Sequence, residues 1–283
     1  MWKLLGSRTP QFSLPRRGRV LYFAMVAVGL LLIVTASREL VIGEQEYYAA
    51  RSEYDELNKL FSGVSTFRYS GSINAGAEDG AGSREYDSEF DDTYSDVLSL
   101  RLQNSSQAEQ LDPLASLTAL NSEFVGWISI EGIIEYPVVR GQDNEYYLDR
   151  TFSRQQNASG AIFMDCRNTR GFSETVSIIY GHNMRDGSMF ASLKQFLDPA
   201  FMSDNPEIAI VTSEGRVLIY QIFLARETDV SNRVYELGFS DASAAAKAFR
   251  NAPDNASNFI VLSTCTNSAD KDDRMLLYAA LVS

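Results

Sequence analysis

The sequence is poor in the residues that bind metals or form disulfides. Its 283 residues include one histidine, His182, and two cysteines, Cys166 and Cys265. A structural zinc site needs about four such ligands, and two cysteines do not make a disulfide framework for a chain of this length. The two cysteines form either one bridge or none. We therefore predict no metal and no cofactor, and any mechanism that needs an imidazole must use His182.

Positive charge is scarce outside the N-terminal region. The chain has 25 Lys and Arg residues against 37 Asp and Glu, a formal net charge of -12. Five of the bases precede position 20 and the first acid is Glu39, which leaves 20 bases against 37 acids in the rest. An acidic body repels a polyanion, so the composition argues against nucleic acid as a partner.

One apolar run follows the basic cluster. Residues 20–36 read VLYFAMVAVGLLLIVTA, and these 17 uncharged residues are at the short end for a helix that crosses a bilayer. Because the basic cluster comes first, we predict a cytoplasmic basic tail at 1–19, a transmembrane signal-anchor at 20–36 and an extracellular body held at the cell membrane. The alternative is a cleaved signal peptide, with a weak cleavage site at Thr35-Ala36-Ser37-Arg38. Both interpretations place the body outside the cytosol.

Two segments separate this run from the globular part. Apolar residues recur at helical spacing over 37–61, which predicts a stalk helix. That helix either packs on the following domain or is a solvated amphipathic spacer. Residues 62–108 contain several glycines and an acidic run from Glu85 to Asp96, and they have too little apolar surface to order themselves. We predict a linker there and a globular domain at 109–283.

From residue 109 the pattern is that of a mainly β protein. Short apolar segments alternate with turn residues, which is typical of a closed or sandwiched β architecture. Short helices are predicted from Asp112-Pro113 through Leu120 and, in an alanine-rich stretch, from Asp241 to Asn251. The eight predicted strands are Val125–Ile130, Tyr136–Val139, Ala161–Asp165, Ser177–Tyr180, Glu207–Thr212, Val217–Ala225, Asn258–Leu262 and Met275–Val282.

Three side chains at predicted strand ends have the chemistry of acyl transfer. Cys265 and His182 each follow an apolar strand, and a thiol beside an imidazole is the best nucleophile near neutral pH. Arg274 opens the last strand after a polar loop, and a cation beside the thiol would stabilise a carbonyl oxyanion. Taken singly, each residue has a commoner role: an inert thiol, a histidine with a satisfied ring and a solvated arginine.

Seven motifs accompany these residues in chain order. They read VGWI (125–128), IEYPVV (134–139), DNEYYL (143–148), GAIFMD (160–165), IYGHNM (179–184), DGSMF (186–190) and LSTCT (262–266), with Arg274 beyond them. Together they resemble the sortases, and class B sortases in particular, over about residues 121–283. The alanine-rich helix before the cysteine strand also resembles class B.

This resemblance implies an eight-stranded sortase-like β-barrel with short helices and a cysteine transpeptidase activity. Class B sortases cut a C-terminal sorting signal of x-P-x-T-x type after its threonine, through a thioester on the cysteine. They transfer the protein to an amine of the cell wall in Gram-positive bacteria. The expected partners are secreted proteins with such a signal, the amine of a peptidoglycan precursor or cross-bridge (or a pilin lysine), and the membrane through the N-terminal helix.

The resemblance also assigns roles to individual residues. Cys265 is the implied nucleophile, His182 the acid/base and Arg274 the oxyanion stabiliser. Cys166 departs from the family, in which an aromatic residue is frequent at that position, and we interpret it as a second, non-catalytic thiol. The residues implied along the substrate groove are Asn144, Leu148, Tyr180, Ser263 and Thr264.

Two other functions are compatible with parts of the pattern. An L,D-transpeptidase also uses a histidine and a cysteine on a β scaffold, but in a compact Ser-His-Gly-Cys-x-Arg cluster. Here His182 and Cys265 are 83 residues apart. A wall-facing binding protein that keeps the sortase fold without activity is the second alternative, and the presence of Cys265, His182 and Arg274 argues against it.

Overall fold

The computed structural model describes residues 16–68, 112–266, 270 and 272–282. The first helix, α1, spans Arg16–Arg68. Within the described ranges no helix meets the length and hydropathy of a membrane span, so the structure gives no support to the transmembrane segment predicted at 20–36. The predicted basic tail up to residue 15 and the predicted linker from residue 69 lie outside the described residues. Residues 62–68 of that predicted linker continue α1.

Eight strands form a closed barrel in the described part of the chain, as predicted. Their order around the barrel is β1-β2-β3-β4-β7-β8-β6-β5, with β5 pairing back onto β1. Most pairs are antiparallel, but β2 with β3 and β4 with β7 are parallel. The strands are β1 Phe124–Ile130, β2 Ile134–Val139, β3 Ile162–Met164, β4 Val176–Tyr180, β5 Glu207–Thr212, β6 Val217–Asp229, β7 Ala256–Cys265 and β8 Asp273–Val282.

Three short α-helices lie in the connections that are described. The first, α2 (Pro113–Leu120), begins where predicted, because the Asp112 side chain accepts a hydrogen bond from the Leu114 N–H at 3.1 Å. The others are α3 (Pro199–Asp204) and α4 (Ala242–Ala248). The alanine-rich helix is shorter than predicted because Phe249 is already extended. Turns of 3-10 helix occupy Tyr146–Leu148, Gly171–Ser173, Ala191–Leu197 and Arg233–Glu236.

The two faces of β7 belong to different apolar clusters. Ile260 and Leu262 pack into the larger core, which includes residues of α1 and α2. Phe259 and Val261 pack on the opposite side in a smaller cluster that contains residues of α4. Because side chains alternate along a strand, Ser263 and Cys265 continue the α4-facing side, beyond the end of its apolar cluster.

The C-terminal part of α1 packs on the barrel. Its apolar positions Tyr54, Leu57 and Phe61 are buried, and the Phe61 ring stacks on the Trp127 ring with 4.2 Å between centroids. The compact unit that contains the barrel accordingly begins at Tyr47. Of the two interpretations of the stalk helix, packing on the domain therefore holds for residues 47–61.

Candidate active site

Strand pairing places Cys265 and Arg274 side by side. Cys265 is the last residue of β7, and the antiparallel register of β7 with β8 sets it directly opposite Arg274. Opposite residues point to the same face of a sheet, with Cβ atoms about 5 Å apart. Cys265 is exposed and free, while Arg274 is half-buried. The nine-residue separation in sequence thus becomes a cross-strand pair, and the Arg274 guanidinium donates to the Asp273 carbonyl at 3.0 Å.

His182 reaches the same end of β7 through the parallel β4–β7 pair. Tyr180, the last residue of β4, is in register with Ser263. Beyond the strand, the Gly181 N–H donates to the Ser263 carbonyl at 3.2 Å, and the Asn183 side-chain amide donates to the Cys265 carbonyl at 2.9 Å. The backbone of His182 is therefore held beside the last three residues of β7 by contacts on both sides of it.

The imidazole of His182 is oriented by a backbone carbonyl. Its Nε2 lies 2.6 Å from the carbonyl oxygen of Leu148. A carbonyl oxygen can only accept, so Nε2 carries the hydrogen, and in the neutral ring Nδ1 is left to exchange a proton. A carboxylate performs this orienting role in serine-protease triads. Here Leu148, predicted as a groove residue, contributes its main chain to the site.

Two stacked tyrosines line the α4-facing side next to Cys265. The rings of Tyr180 and Tyr235 are nearly parallel, 7° apart, with centroids separated by 6.5 Å. The Tyr235 and Ser263 hydroxyls are hydrogen-bonded at 2.8 Å. Burial raises the pKa of Tyr235, and the hydrogen bond with Ser263 and the charge of Arg274 only partly oppose this rise. Tyr235 was missed in the sequence because it lies in none of the seven motifs.

The buried carboxylate of Asp165 fixes the position of the Tyr180 hydroxyl. The Tyr180 hydroxyl donates to Asp165 at 2.9 Å, and Arg167 binds the same carboxylate through two nitrogens at 2.8 and 2.7 Å. Burial alone would raise the pKa of Asp165, but the hydrogen bonds from Arg167 and Tyr180 outweigh it and the pKa is lowered. Burial, followed by the Asp165 charge, raises the pKa of Tyr180. Tyr180 therefore stays a neutral hydrogen-bond donor at physiological pH.

The remaining predicted groove residues differ in their placement. The Asn144 side-chain oxygen accepts from the Cys166 N–H at 2.8 Å, and the Leu148 side chain is exposed. Thr264 is 4% exposed, and its side chain lies on the face opposite Cys265, so only its backbone borders the thiol.

The second thiol of the chain, Cys166, is free and half-buried. Across the described ranges no group of three or more His, Cys, Asp or Glu side chains is arranged to hold a metal ion.

Comparison with known proteins places the chain in a family. The family model for the Sortase domain matches residues 128–282, more than half of the chain. Sortase B of Listeria monocytogenes is 32% identical over 188 residues, which cover 62% of this chain and 76% of the relative.

Solved structures of class B sortases share the fold. The X-ray structure of Clostridium perfringens sortase B is 26% identical with a TM-score of 0.53, and the match covers 60% of this chain and 99% of that chain. A Streptococcus pyogenes class B sortase, described as involved in pilus biogenesis, is 26% identical with a TM-score of 0.51 and coverage of 58% and 95%. The chain therefore belongs to the sortase family of cysteine transpeptidases, and within that family to class B.

Proposed function

We propose that this class B sortase cleaves a C-terminal sorting signal of x-P-x-T-x type after its threonine and transfers the threonine carbonyl to an amine. The proposed catalytic residues are Cys265, His182 and Arg274. The observation that supports this most strongly is the convergence of three strand ends. Arg274 is in register with Cys265, and the segment carrying His182 is hydrogen-bonded to the end of β7. Membership of the sortase family also removes the L,D-transpeptidase alternative.

In the first half-reaction, His182 takes the proton of the Cys265 thiol, and the sulfur attacks the threonine carbonyl carbon and forms a C–S bond. The oxygen becomes negatively charged in the tetrahedral intermediate, and Arg274, opposite Cys265 on β8, stabilises it. When the intermediate collapses, the C–N bond breaks and the leaving amine takes a proton from His182. The products are a thioester and the free C-terminal fragment of the signal.

In the second half-reaction, an acceptor amine attacks the thioester carbonyl and gives a proton to His182. The C–S bond then breaks, the new amide leaves, and His182 returns the proton to the sulfur, which restores the thiol. Because Leu148 keeps the hydrogen on Nε2, the exchanging nitrogen in both half-reactions is Nδ1. One imidazole thus alternates between acid and base, which suits a chain with a single histidine.

Arg274→Ala should lower kcat by roughly 10²–10³-fold, the typical cost of one oxyanion donor. Arg274→Lys should recover little of this loss, because a point charge on a flexible stem does not reproduce a planar guanidinium. Steady-state cleavage of an x-P-x-T-x peptide measures both. The control is Arg216→Ala, which removes an exposed arginine from the β5–β6 turn. An Arg274→Ala enzyme with the kcat of the control would contradict the oxyanion role.

The acceptor is proposed to be an amine of a peptidoglycan precursor or cross-bridge. A pilin lysine is the second candidate, because the similar Streptococcus pyogenes enzyme is described as involved in pilus biogenesis. Profiling an x-P-x-T-x peptide library with a wall-peptide amine, a lysine-bearing peptide or water would identify both signal and acceptor. We expect amide products with the wall-peptide amine. Products with water alone would contradict the transpeptidation proposal and indicate a hydrolase.

The proposed location is the outer face of the cell membrane. It rests on the sequence of residues 1–36 and on the substrates of the family, since no membrane span is found in the described residues. Fractionation of cells that express the full chain would test it. Recovery of the chain mainly in the cytosol would reject this location.

A further inference from the structure

The C-terminal part of α1 contacts the segments that surround His182. The Tyr54 hydroxyl donates to the Gly160 carbonyl at 2.8 Å, and the Glu53 carboxylate accepts from the Ser153 N–H at 2.8 Å. The Tyr47 hydroxyl is hydrogen-bonded to Asp186, four residues after His182. The helix is therefore attached to the chain on both sides of the imidazole.

Gly160 lies next to the edge of the His182 ring. A Cβ atom at Gly160 would be 3.1 Å from His182 Cδ2 and 2.7 Å from the Leu148 carbonyl oxygen, the acceptor for Nε2. It would also be 2.6 Å from the Tyr147 carbonyl oxygen. Gly160 has φ +58°, a backbone conformation that residues with a side chain rarely adopt. The lack of a side chain at Gly160 thus leaves room for both the ring edge and the carbonyl that orients it.

On the side that faces α1, the Gly160 carbonyl is held by the hydrogen bond from the Tyr54 hydroxyl. Tyr54 is 6% exposed, and its ring lies edge-on to Tyr136 with 5.3 Å between centroids. Without the hydroxyl, the buried Gly160 carbonyl would lose this partner, and the peptide unit would be free to tilt in search of another. Because only the space of one Cβ separates Gly160 from the Leu148 carbonyl and the His182 ring, we expect such a tilt to change the orientation of the imidazole.

We propose that Tyr54 is a positioning residue for His182, acting through Gly160 and the Leu148 carbonyl to set the ring orientation and keep the hydrogen on Nε2. Its effect on turnover rests on the proposed catalytic role of His182. The functional unit then includes α1 residues that precede the predicted linker, although the catalytic domain was predicted to begin at residue 109.

Tyr54→Phe tests this with the ring retained and only the hydroxyl removed. Because His182 is the sole histidine, the ¹⁵N spectrum of untagged protein reports its tautomer without ambiguity. We expect the Nε2–H form in the wild type and a mixture of both tautomers in Tyr54→Phe. With an x-P-x-T-x peptide, kcat should fall roughly 10- to 10²-fold while KM changes little, as for a displaced catalytic group.

The matched control is Tyr220→Phe. Tyr220 is a buried tyrosine too, but its hydroxyl has no hydrogen-bond partner among the described residues. Removing that hydroxyl should leave both the tautomer and kcat at wild-type values. Thermal unfolding of both variants separates a loss of stability from a change at His182.

A glycine pair gives a second test, which also applies if Tyr54→Phe does not fold. Gly160→Ala places a methyl group against the Leu148 carbonyl, whereas Gly171, with the same φ of +58°, has nothing within 4 Å of a Cβ. Both substitutions carry the same backbone strain, so only Gly160→Ala should shift the His182 tautomer and lower kcat. Equal behaviour of the two alanine variants would contradict the proposal.

The outcomes separate this inference from the proposed function. A wild-type ¹⁵N spectrum in both Tyr54→Phe and Gly160→Ala would overturn the positioning role and leave the proposed function intact. A changed tautomer with unchanged kcat would support the positioning role and overturn the catalytic role of His182. A changed tautomer with reduced kcat in these two variants, and in neither control, would support both.

Discussion

Cys265→Ala should leave no measurable cleavage of a sorting peptide and no thioester intermediate. The variant lacks the sulfur that forms the acyl bond, and alanine offers no nucleophile in its place. The loss should appear at any peptide concentration, because the substrate groove beside β7 is untouched. Peptide cleavage followed by chromatography, with thermal unfolding to verify the fold, measures it.

Cys166→Ala is the control, since it removes the other thiol of the chain. In the antiparallel β3–β4 pair, Met164 lies opposite Ile179, so Cys166 lies towards the start of β4, whereas Cys265 lies past the end of β4. The β-barrel thus separates the two thiols along the strands, and Cys166→Ala should keep wild-type turnover. An active Cys265→Ala together with an inactive Cys166→Ala would identify Cys166 as the nucleophile.

His182→Ala should lower kcat by at least roughly 10²–10⁴-fold, the usual contribution of general acid–base catalysis. The loss applies to both half-reactions, because in the proposed mechanism His182 protonates the leaving amine and later deprotonates the acceptor. No other imidazole exists in the chain to replace it. Single-turnover kinetics with an x-P-x-T-x peptide would measure the acylation step.

A substrate with a better leaving group separates protonation of the leaving amine from other roles of His182. A peptide ester or thioester needs no protonated amine to leave, so its acylation by His182→Ala should be much less impaired than that of the amide. A wild-type rate with the amide substrate would contradict the acid role. An equal loss with both substrates would also contradict it, since His182 would then act only on the thiol or on the fold.

The strand pattern was predictable from the sequence because short apolar segments separated by turn residues mark most of the barrel. The ends of the long strands were not. The predicted strand Val217–Ala225 stops where the polar residues RETD begin, yet β6 continues to Asp229, because its backbone pairs with β8 as far as Asp273. Likewise β7 runs through polar Ser263 and Thr264 to Cys265. Residues predicted to lie in loops after strands are therefore held within strands.

The grouping of Cys265, Arg274 and the His182 segment was predictable from the motifs, but the residues that contact them from elsewhere in the chain were not. Tyr235 meets Ser263 from 28 residues away, and Tyr54 meets Gly160 from 106 residues away. The helical spacing in α1 was compatible with a solvated spacer as well as with packing on the barrel. The difference depends on partners such as Trp127 that only the folded chain brings into contact.

The central assignment is tested most directly by the intact mass of the protein after incubation with an x-P-x-T-x peptide and no amine acceptor. We expect a covalent adduct corresponding to the peptide up to its threonine on the wild type and on Cys166→Ala, with peptide mapping locating it at Cys265. We expect none on Cys265→Ala. An adduct that persists on Cys265→Ala, or that disappears only in Cys166→Ala, would contradict Cys265 as the nucleophile.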